Sequence, residues 1–204
     1  MPNLILVRHG ETIWNAERRF QGAQDVPLSP RGEAQARALA ARLAGESIQR
    51  IYSSDLVRAY ATATLIAAPH GLAVQVEPRL REISFGAWEG MTYEGIHMRY
   101  PEGLAWWEAD PMNAAPPGGE TLAQLQERVK SLLVELAALP ADETALLVGH
   151  GGSLQVLLCA ALGLTPRARW QFRLDPGSIS ELGLYPAGAI LTSLNDRHHL
   201  ASVP

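Results

Sequence analysis

The apolar positions of this chain fall into two alternating patterns. Residues 4–7 and 145–148 are short, continuous apolar runs, which read as strands buried on both faces. Residues 51–53 and 73–76 read as two more strands. Residues 179–185 and 190–194, on either side of Pro186-Ala187-Gly188, read as a final pair. Helical spacing fills the intervals. Ser29-Pro30 is a helix start, with Ser at the N-cap and Pro in the first turn, and the helix runs to about residue 44. A second helix covers 55–68 and stops before Pro69. A third opens at Thr121, whose capping box with Gln124 precedes Leu122, Leu125, Val129, Leu132, Leu136 and Leu139 at three-and-four spacing; Pro140 ends it. Residues 153–162 form an apolar helix. Strands alternating with helices predict an α/β fold, a three-layer α/β/α sandwich with a mainly parallel central sheet.

Residues 86–119 break the pattern. They hold six glycines, four prolines and Trp88, Trp106 and Trp107. Linkers rarely carry three tryptophans, so this stretch reads as an irregular or short-helical cap inserted into one domain spanning 1–204. A chain that is 47% hydrophobic and 19% charged has the balance of a globular protein, which argues against long disorder. The net charge of −4 excludes a general nucleic-acid footprint, so any anion must be held by local arginines. Lys130 is the only lysine against sixteen arginines, and arginine grips phosphate bidentately. Cys159 stands alone among apolar neighbours and reads as core packing, so no intrachain disulfide is expected. The N-terminus lacks the basic region and cleavage site of a signal peptide, and no apolar run reaches the length of a membrane span. The expectation is a cytoplasmic protein with no membrane partner.

In parallel sheets, ligands bind beyond the carboxyl ends of the strands. Arg8, His9, Gly10, Glu11 and Thr12 follow the first strand. Ser53, Ser54 and Arg58 follow the second. Gly149, His150, Gly151 and Gly152 follow the strand at 145–148. Two histidines and two arginines thus converge on one edge, a set able to hold a phosphate dianion and spread its charge. Competing chemistries lack their residues. Thr165 stands where a cysteine phosphatase would need arginine after Cys159, and paired aspartates after an early strand are absent. So are a Gly-x-Ser-x-Gly elbow and a Walker lysine motif. His198-His199, read as an extended pair, points its rings opposite ways, which makes joint metal chelation awkward.

Taken together, these segments resemble the histidine phosphatase superfamily, the phosphoglycerate-mutase-like proteins. The resemblance rests on Leu6-Val7-Arg8-His9-Gly10-Glu11-Thr12-Ile13-Trp14-Asn15, Phe20-Gln21-Gly22, Tyr52-Ser53-Ser54-Asp55-Leu56-Val57-Arg58-Ala59, Leu80-Arg81-Glu82-Ile83 and Val148-Gly149-His150-Gly151-Gly152, in order along nearly the whole chain. It implies that His9 attacks phosphorus, that Arg8, Arg58 and His150 surround the phosphoryl oxygens, and that Glu82 protonates the leaving oxygen and then activates water. It further implies that Asn15, Gln21, Gly22 and Gly151 contact the phosphate or ester. Glu11 and Glu89 are the alternative acids. No metal or other cofactor is implied, since positioning and charge stabilisation supply the catalysis. The partner implied is a small phosphorylated metabolite; members are often homodimers, though nothing locates an interface. Arg99 is the only cation in 86–119 and the chain is short, which favours hydrolysis over mutase transfer. A phosphoglycerate mutase is the alternative, and a catalytically inactive phospho-ligand-binding protein a lesser one. Specificity is expected from residues 83–119 and the neighbourhood of His199.

Overall fold

A computed structural model describes residues 1–203. Its six-stranded sheet contains β1 (Asn3–Arg8), β2 (Arg50–Ser53), β3 (Val74–Val76), β4 (Thr144–Gly149), β5 (Ile179–Tyr185) and β6 (Gly188–Asp196), in the order β3-β2-β4-β1-β5-β6. The four strands from β3 to β1 are mutually parallel; β5 runs antiparallel to β1, and β6 antiparallel to β5. The mainly parallel sheet expected from the apolar runs is present. Parallel pairing in register, with Arg8 opposite Gly149 and Ser53 opposite Val148, brings three strand ends to one edge.

Helices cover both faces. In chain order they are α1 (Ile13–Ala16), α2 (Pro30–Leu43), α3 (Val57–Ala67), α4 (Tyr93–Arg99), α5 (Pro101–Ala109), α6 (Leu122–Ala137) and α7 (Gly151–Ala161). The two-residue period of the strands divides the core. Leu4, Leu6, Ala145 and Leu147 pack with the leucine stripe of α6 and with Leu154, Leu157 and Leu158 of α7. Ile5, Val7, Leu146 and Val148 turn to the opposite face, against Leu39 and Leu43 of α2 and Ala59, Ala63 and Ile66 of α3. Continuous apolar runs were needed because β1 and β4 have no solvent face.

The caps follow the sequence signals. Ser29 Oγ accepts from Gly32 N at 3.0 Å. Thr121 Oγ1 accepts from Gln124 N at 3.2 Å, and Gln124 Oε1 from Thr121 N at 2.8 Å. Two helix starts near the strand ends differ from expectation, as does the conformation of His198-His199. α3 begins at Val57, two residues late, because Asp55 and Leu56 form the turn leaving β2. α7 begins at Gly151, two residues early, directly after His150. The pair His198-His199 lies on a 3-10 turn, not an extended segment. α1 was too short to show a period.

Residues 86–119 contain α4 and α5 and gather Trp88, Ile96, Leu104, Trp107 and Ala114 into a third apolar cluster. Of the three tryptophans, Trp88 is wholly buried, Trp107 nearly so, and Trp106 exposed. Cys159 is buried in the α6–α7 core, where burial pushes its thiol pKa up. Among the described residues, no helix is long and apolar enough to cross a membrane.

Candidate active site

The site forms where β1, β2 and β4 end. His9 is 2% exposed, and His150 and Arg58 are fully buried. The His9 and His150 rings lie 4.9 Å apart between centroids, tilted by 59°. His9 Nδ1 is 2.7 Å from the Gly10 carbonyl. A carbonyl only accepts, so Nδ1 carries the proton and Nε2 is the bare nitrogen. Burial, then the charges of Arg58 and Arg8, hold the His9 pKa well below the usual histidine range, so the ring is neutral. Desolvation outweighs the two arginine charges.

Arg58 is the hub beneath the two rings. Its Nε donates to His150 Nδ1 at 3.2 Å, Nη1 to the Gln24 carbonyl at 2.7 Å and Nη2 to the Gly22 carbonyl at 2.8 Å. Arginine has no lone pair to offer, so His150 Nδ1 must be unprotonated, and Nε2–H donates to Ser54 Oγ at 2.9 Å. His150 too is held well below the usual range, first by burial and then by Arg58. Arg8 donates from Nη1 to the Leu174 carbonyl at 2.5 Å, while its buried Nε has no partner among the described residues. Burial lowers its pKa, opposed by Glu82 and Asp175. An unpaired guanidinium N–H beside a bare imidazole nitrogen is a place for an anion.

Glu82 closes the site from the segment after β3. Its Oε1 accepts from Ile83 N at 2.9 Å and Ser153 N at 3.2 Å, and its Oε2 from Gly152 N at 3.1 Å. The carboxylate therefore sits on the free amides of the first turn of α7, where helix geometry leaves donors unpaired. A cavity of about 220 Å³ is lined by Arg8, Glu82, Gly151 and Gly152, with Phe85 and Trp107 among its apolar walls. A second, of about 280 Å³, shares Arg8, Glu82 and Phe85 and is lined also by Asn15, Gln21 and Gly22. Six of the nine residues picked from the sequence line these two cavities; His9, Arg58 and His150 are buried and line neither, and Arg58 joins them to the rest through His150 and the Gly22 carbonyl. The histidine phosphatase superfamily (branch 1) model matches residues 4–197.

The chain belongs to the histidine phosphatase superfamily. It is 38% identical to phosphoserine phosphatase 1 of Hydrogenobacter thermophilus over 98% of this chain and 95% of that one. It is 37% identical, with the same coverage, to a protein of Yersinia enterocolitica named a probable phosphoglycerate mutase. The α-ribazole phosphatase of Shigella flexneri superposes with a TM-score of 0.89 at 31% identity, covering 95% of this chain and 96% of that one.

In this histidine phosphatase the loop residues act partly through others. Asn15 Oδ1 caps α1 by accepting from Thr12 N at 3.0 Å, and Gln21 Oε1 accepts from Thr12 Oγ1 at 2.9 Å. The Gly22 carbonyl is taken up by Arg58. The alternative acids have structural employment. Glu89 Oε1 accepts from Ala23 N and Phe85 N, both at 2.9 Å, tying the 20–25 loop to the 84–89 turn. Glu11 pairs with Arg31 and lines none of these cavities. His199 Nε2 donates to the Gly177 carbonyl at 3.0 Å, and Gly177 N contacts the carbonyls of Arg8 and His9 at 3.1 Å, so the C-terminal turn braces the loop that carries His9. Among the described residues, no three His, Cys, Asp or Glu side chains are grouped as a metal site.

Four further residues take on roles that sequence reasoning did not assign. Arg128 of α6 pairs with Glu120 at 2.8 Å and donates to the carbonyls of Arg79, Arg81 and Glu82, clamping the backbone that carries Glu82. Arg169 and Trp170 line the 220 Å³ cavity from the 3-10 turn Pro166–Gln171, outside the segment expected to hold specificity. Gly152, in the recognised motif, proves to be a position that must lack a side chain, since a Cβ there would collide with Glu82 Oε1. Gly152→Ala is expected to lower kcat by about tenfold to a hundredfold through displacement of that carboxylate, the scale of a 1 Å misplacement. Its melting temperature should stay near wild type, because alanine suits a helical position better than glycine. Steady-state kinetics beside thermal denaturation check this; unchanged kcat would mean the Glu82 position is not critical.

Proposed function

We propose that this protein is a phosphatase that hydrolyses small phosphomonoesters through a phosphohistidine on His9, without a metal ion. The single observation that carries the reading is a buried, neutral His9 with Nε2 bare, within reach of the Arg8 and Arg58 charges, with Arg8 lining the same cavity as Glu82. In the first step Nε2 attacks phosphorus, the P–N bond forms and the ester P–O bond breaks. Glu82 gives its proton to the departing oxygen, which leaves as an alcohol. In the second step Glu82 takes a proton from water, the oxygen attacks phosphorus and the P–N bond breaks, releasing inorganic phosphate and bare Nε2. The Arg8 Nε–H and Arg58 stabilise charge on the transferring oxygens, with His150 holding Arg58 through Nδ1, the task a metal performs in other phosphoryl transfers.

The names of the relatives support hydrolysis of phosphomonoesters, and one supports mutase transfer instead. Hydrolysis is favoured because Arg99, the cation within 86–119, is exposed and lines none of the cavities at the site. Residues 86–119 act as a cap over the site within one domain spanning 1–204. Phosphate release from p-nitrophenyl phosphate, phosphoserine, α-ribazole phosphate and 3-phosphoglycerate, with EDTA present, tests the reading. EDTA-resistant release is expected. Interconversion of 2- and 3-phosphoglycerate without release would make the protein a mutase, and neither activity would leave a phospho-ligand-binding protein.

A further inference from the structure

A further cation, beyond Arg8 and Arg58, reaches the site without an ion-pair partner among the described residues. Arg169 is 7% exposed, and its Nη1 is buried without a hydrogen-bond partner. Among the described residues its guanidinium makes no ion pair, and its one neighbour in stacking is the Trp170 ring, 4.5 Å from Cζ. Burial lowers its pKa, and Glu82 lies near enough to oppose that shift. An unsatisfied, buried guanidinium costs stability, so its persistence calls for a function. The turn that carries it is fixed: Gln155 Nε2 of α7 donates to the Phe172 carbonyl at 2.7 Å, and Phe172 N bonds the Arg169 carbonyl at 3.1 Å.

Arg169 lines two cavities at once. One is the 220 Å³ space shared with Arg8 and Glu82; the other, about 320 Å³, is walled by Phe20, Phe85, Tyr93, Trp107 and Trp170 and lined also by Glu108, whose Oε1 already accepts from the Tyr93 hydroxyl at 2.8 Å. The guanidinium therefore stands where the leaving group of a bound phosphoester would extend, among aromatic walls. A phosphate dianion recruits several cations, as at Arg8 and Arg58. A single planar guanidinium in an apolar wall matches one monoanionic, planar carboxylate in charge and shape.

We infer that Arg169 binds a carboxylate on the leaving group, so that the preferred substrates are phosphomonoesters of carboxylic acids whose carbon body lies against Phe85 and Trp107. This rests on the phosphatase reading above for its chemistry, but not for its binding.

The pair 3-phosphoglycerate and glycerol 3-phosphate isolates the group, since they differ by carboxylate against hydroxymethyl. Binding of each is measured by calorimetry in a His9→Ala background, and hydrolysis of each in the enzyme with His9 intact, with Arg169, Arg169→Met and Arg169→Lys. A charge-assisted hydrogen bond predicts a preference of about tenfold to a hundredfold for 3-phosphoglycerate with Arg169. Arg169→Met should abolish the preference while glycerol 3-phosphate changes less than about threefold. The lysine variant should retain part of it, and it serves alone if the methionine variant does not fold. No preference with Arg169, or equal losses on both ligands in the variants, overturns the inference. A preference in binding with no hydrolysis by the His9 protein would overturn the phosphatase reading and leave the carboxylate site standing.

Discussion

Alanine at position 9 is expected to lower phosphate release by about four orders of magnitude or more, the scale on which losing a covalent nucleophile is felt in other enzymes. His9 is not a general base with a substitute at hand. The neighbouring ring, His150, is held by Arg58 through Nδ1 and by Ser54 through Nε2, so neither nitrogen is free to attack. The wild type, quenched in mid-turnover with labelled substrate, should carry phosphate in an acid-labile, base-stable bond, and His9→Ala should carry none. The tautomer adds a second reading. Depressing the pKa of a base favours its neutral form, so His9 should remain unprotonated at Nε2 as pH falls through the ordinary histidine value of 6.5, and protonate only well below it. Imidazole 15N shifts of the free enzyme should show a proton on Nδ1 alone at pH 7 and at pH 6. A ring protonated on both nitrogens at pH 6, or a label that persists in His9→Ala, would remove His9 from the nucleophile role.

Much of this site was legible before any coordinates, because the signals were local and ordered. Arg8-His9 follows an apolar run that had to be a buried strand, and His150 follows another; parallel pairing then forces both strand ends to one edge. Glu82 was the least secure of the catalytic group, since Glu11 and Glu89 are acids of the same neighbourhood. Only the cavities separate them: all three carboxylates have partners, but Glu82, resting on the amides of Ile83, Gly152 and Ser153, lines the cavities, whereas Glu89, held by Ala23 and Phe85, and Glu11, paired with Arg31, do not. The first turn of α7 was itself misread as loop. Gly151 and Gly152 have poor helical propensity, yet at the first positions of a helix the cost is offset when a carboxylate takes the free amides. Arg169 left no signal because a 3-10 turn has no amphipathic period, and an arginine set between Arg167 and Arg173 reads as one of a run of surface charges. Its burial and its missing partner are tertiary facts. The dominance of desolvation over arginine charge at His9 is likewise invisible in sequence, which names neighbours but not the depth at which they lie.

Glu82→Gln separates the two chemical steps, and its effect should depend on the leaving group. Glutamine keeps the shape and one acceptor oxygen but can neither give nor take a proton. With 3-phosphoglycerate or phosphoserine, whose alkoxide leaving oxygens need a proton, kcat should fall by about 10²–10⁴-fold, the usual contribution of a positioned acid or base. With p-nitrophenyl phosphate the first step needs no acid, because nitrophenolate is a stable anion. The P–O bond should still break and His9 should still be phosphorylated, but water would attack the P–N bond without a base. A burst of nitrophenolate close to one per site, followed by slow turnover, is therefore expected, with phosphohistidine accumulating on His9. The amide also introduces an N–H facing the Ile83, Gly152 and Ser153 donors that the carboxylate accepted, so some displacement is expected. The burst amplitude controls for it, since displacement alone would slow both phases on both substrates equally. Equal losses with good and poor leaving groups, and no burst, would mean that Glu82 positions the helix turn rather than moving a proton, and the proton donor would have to be sought among other groups reaching the 220 Å³ cavity.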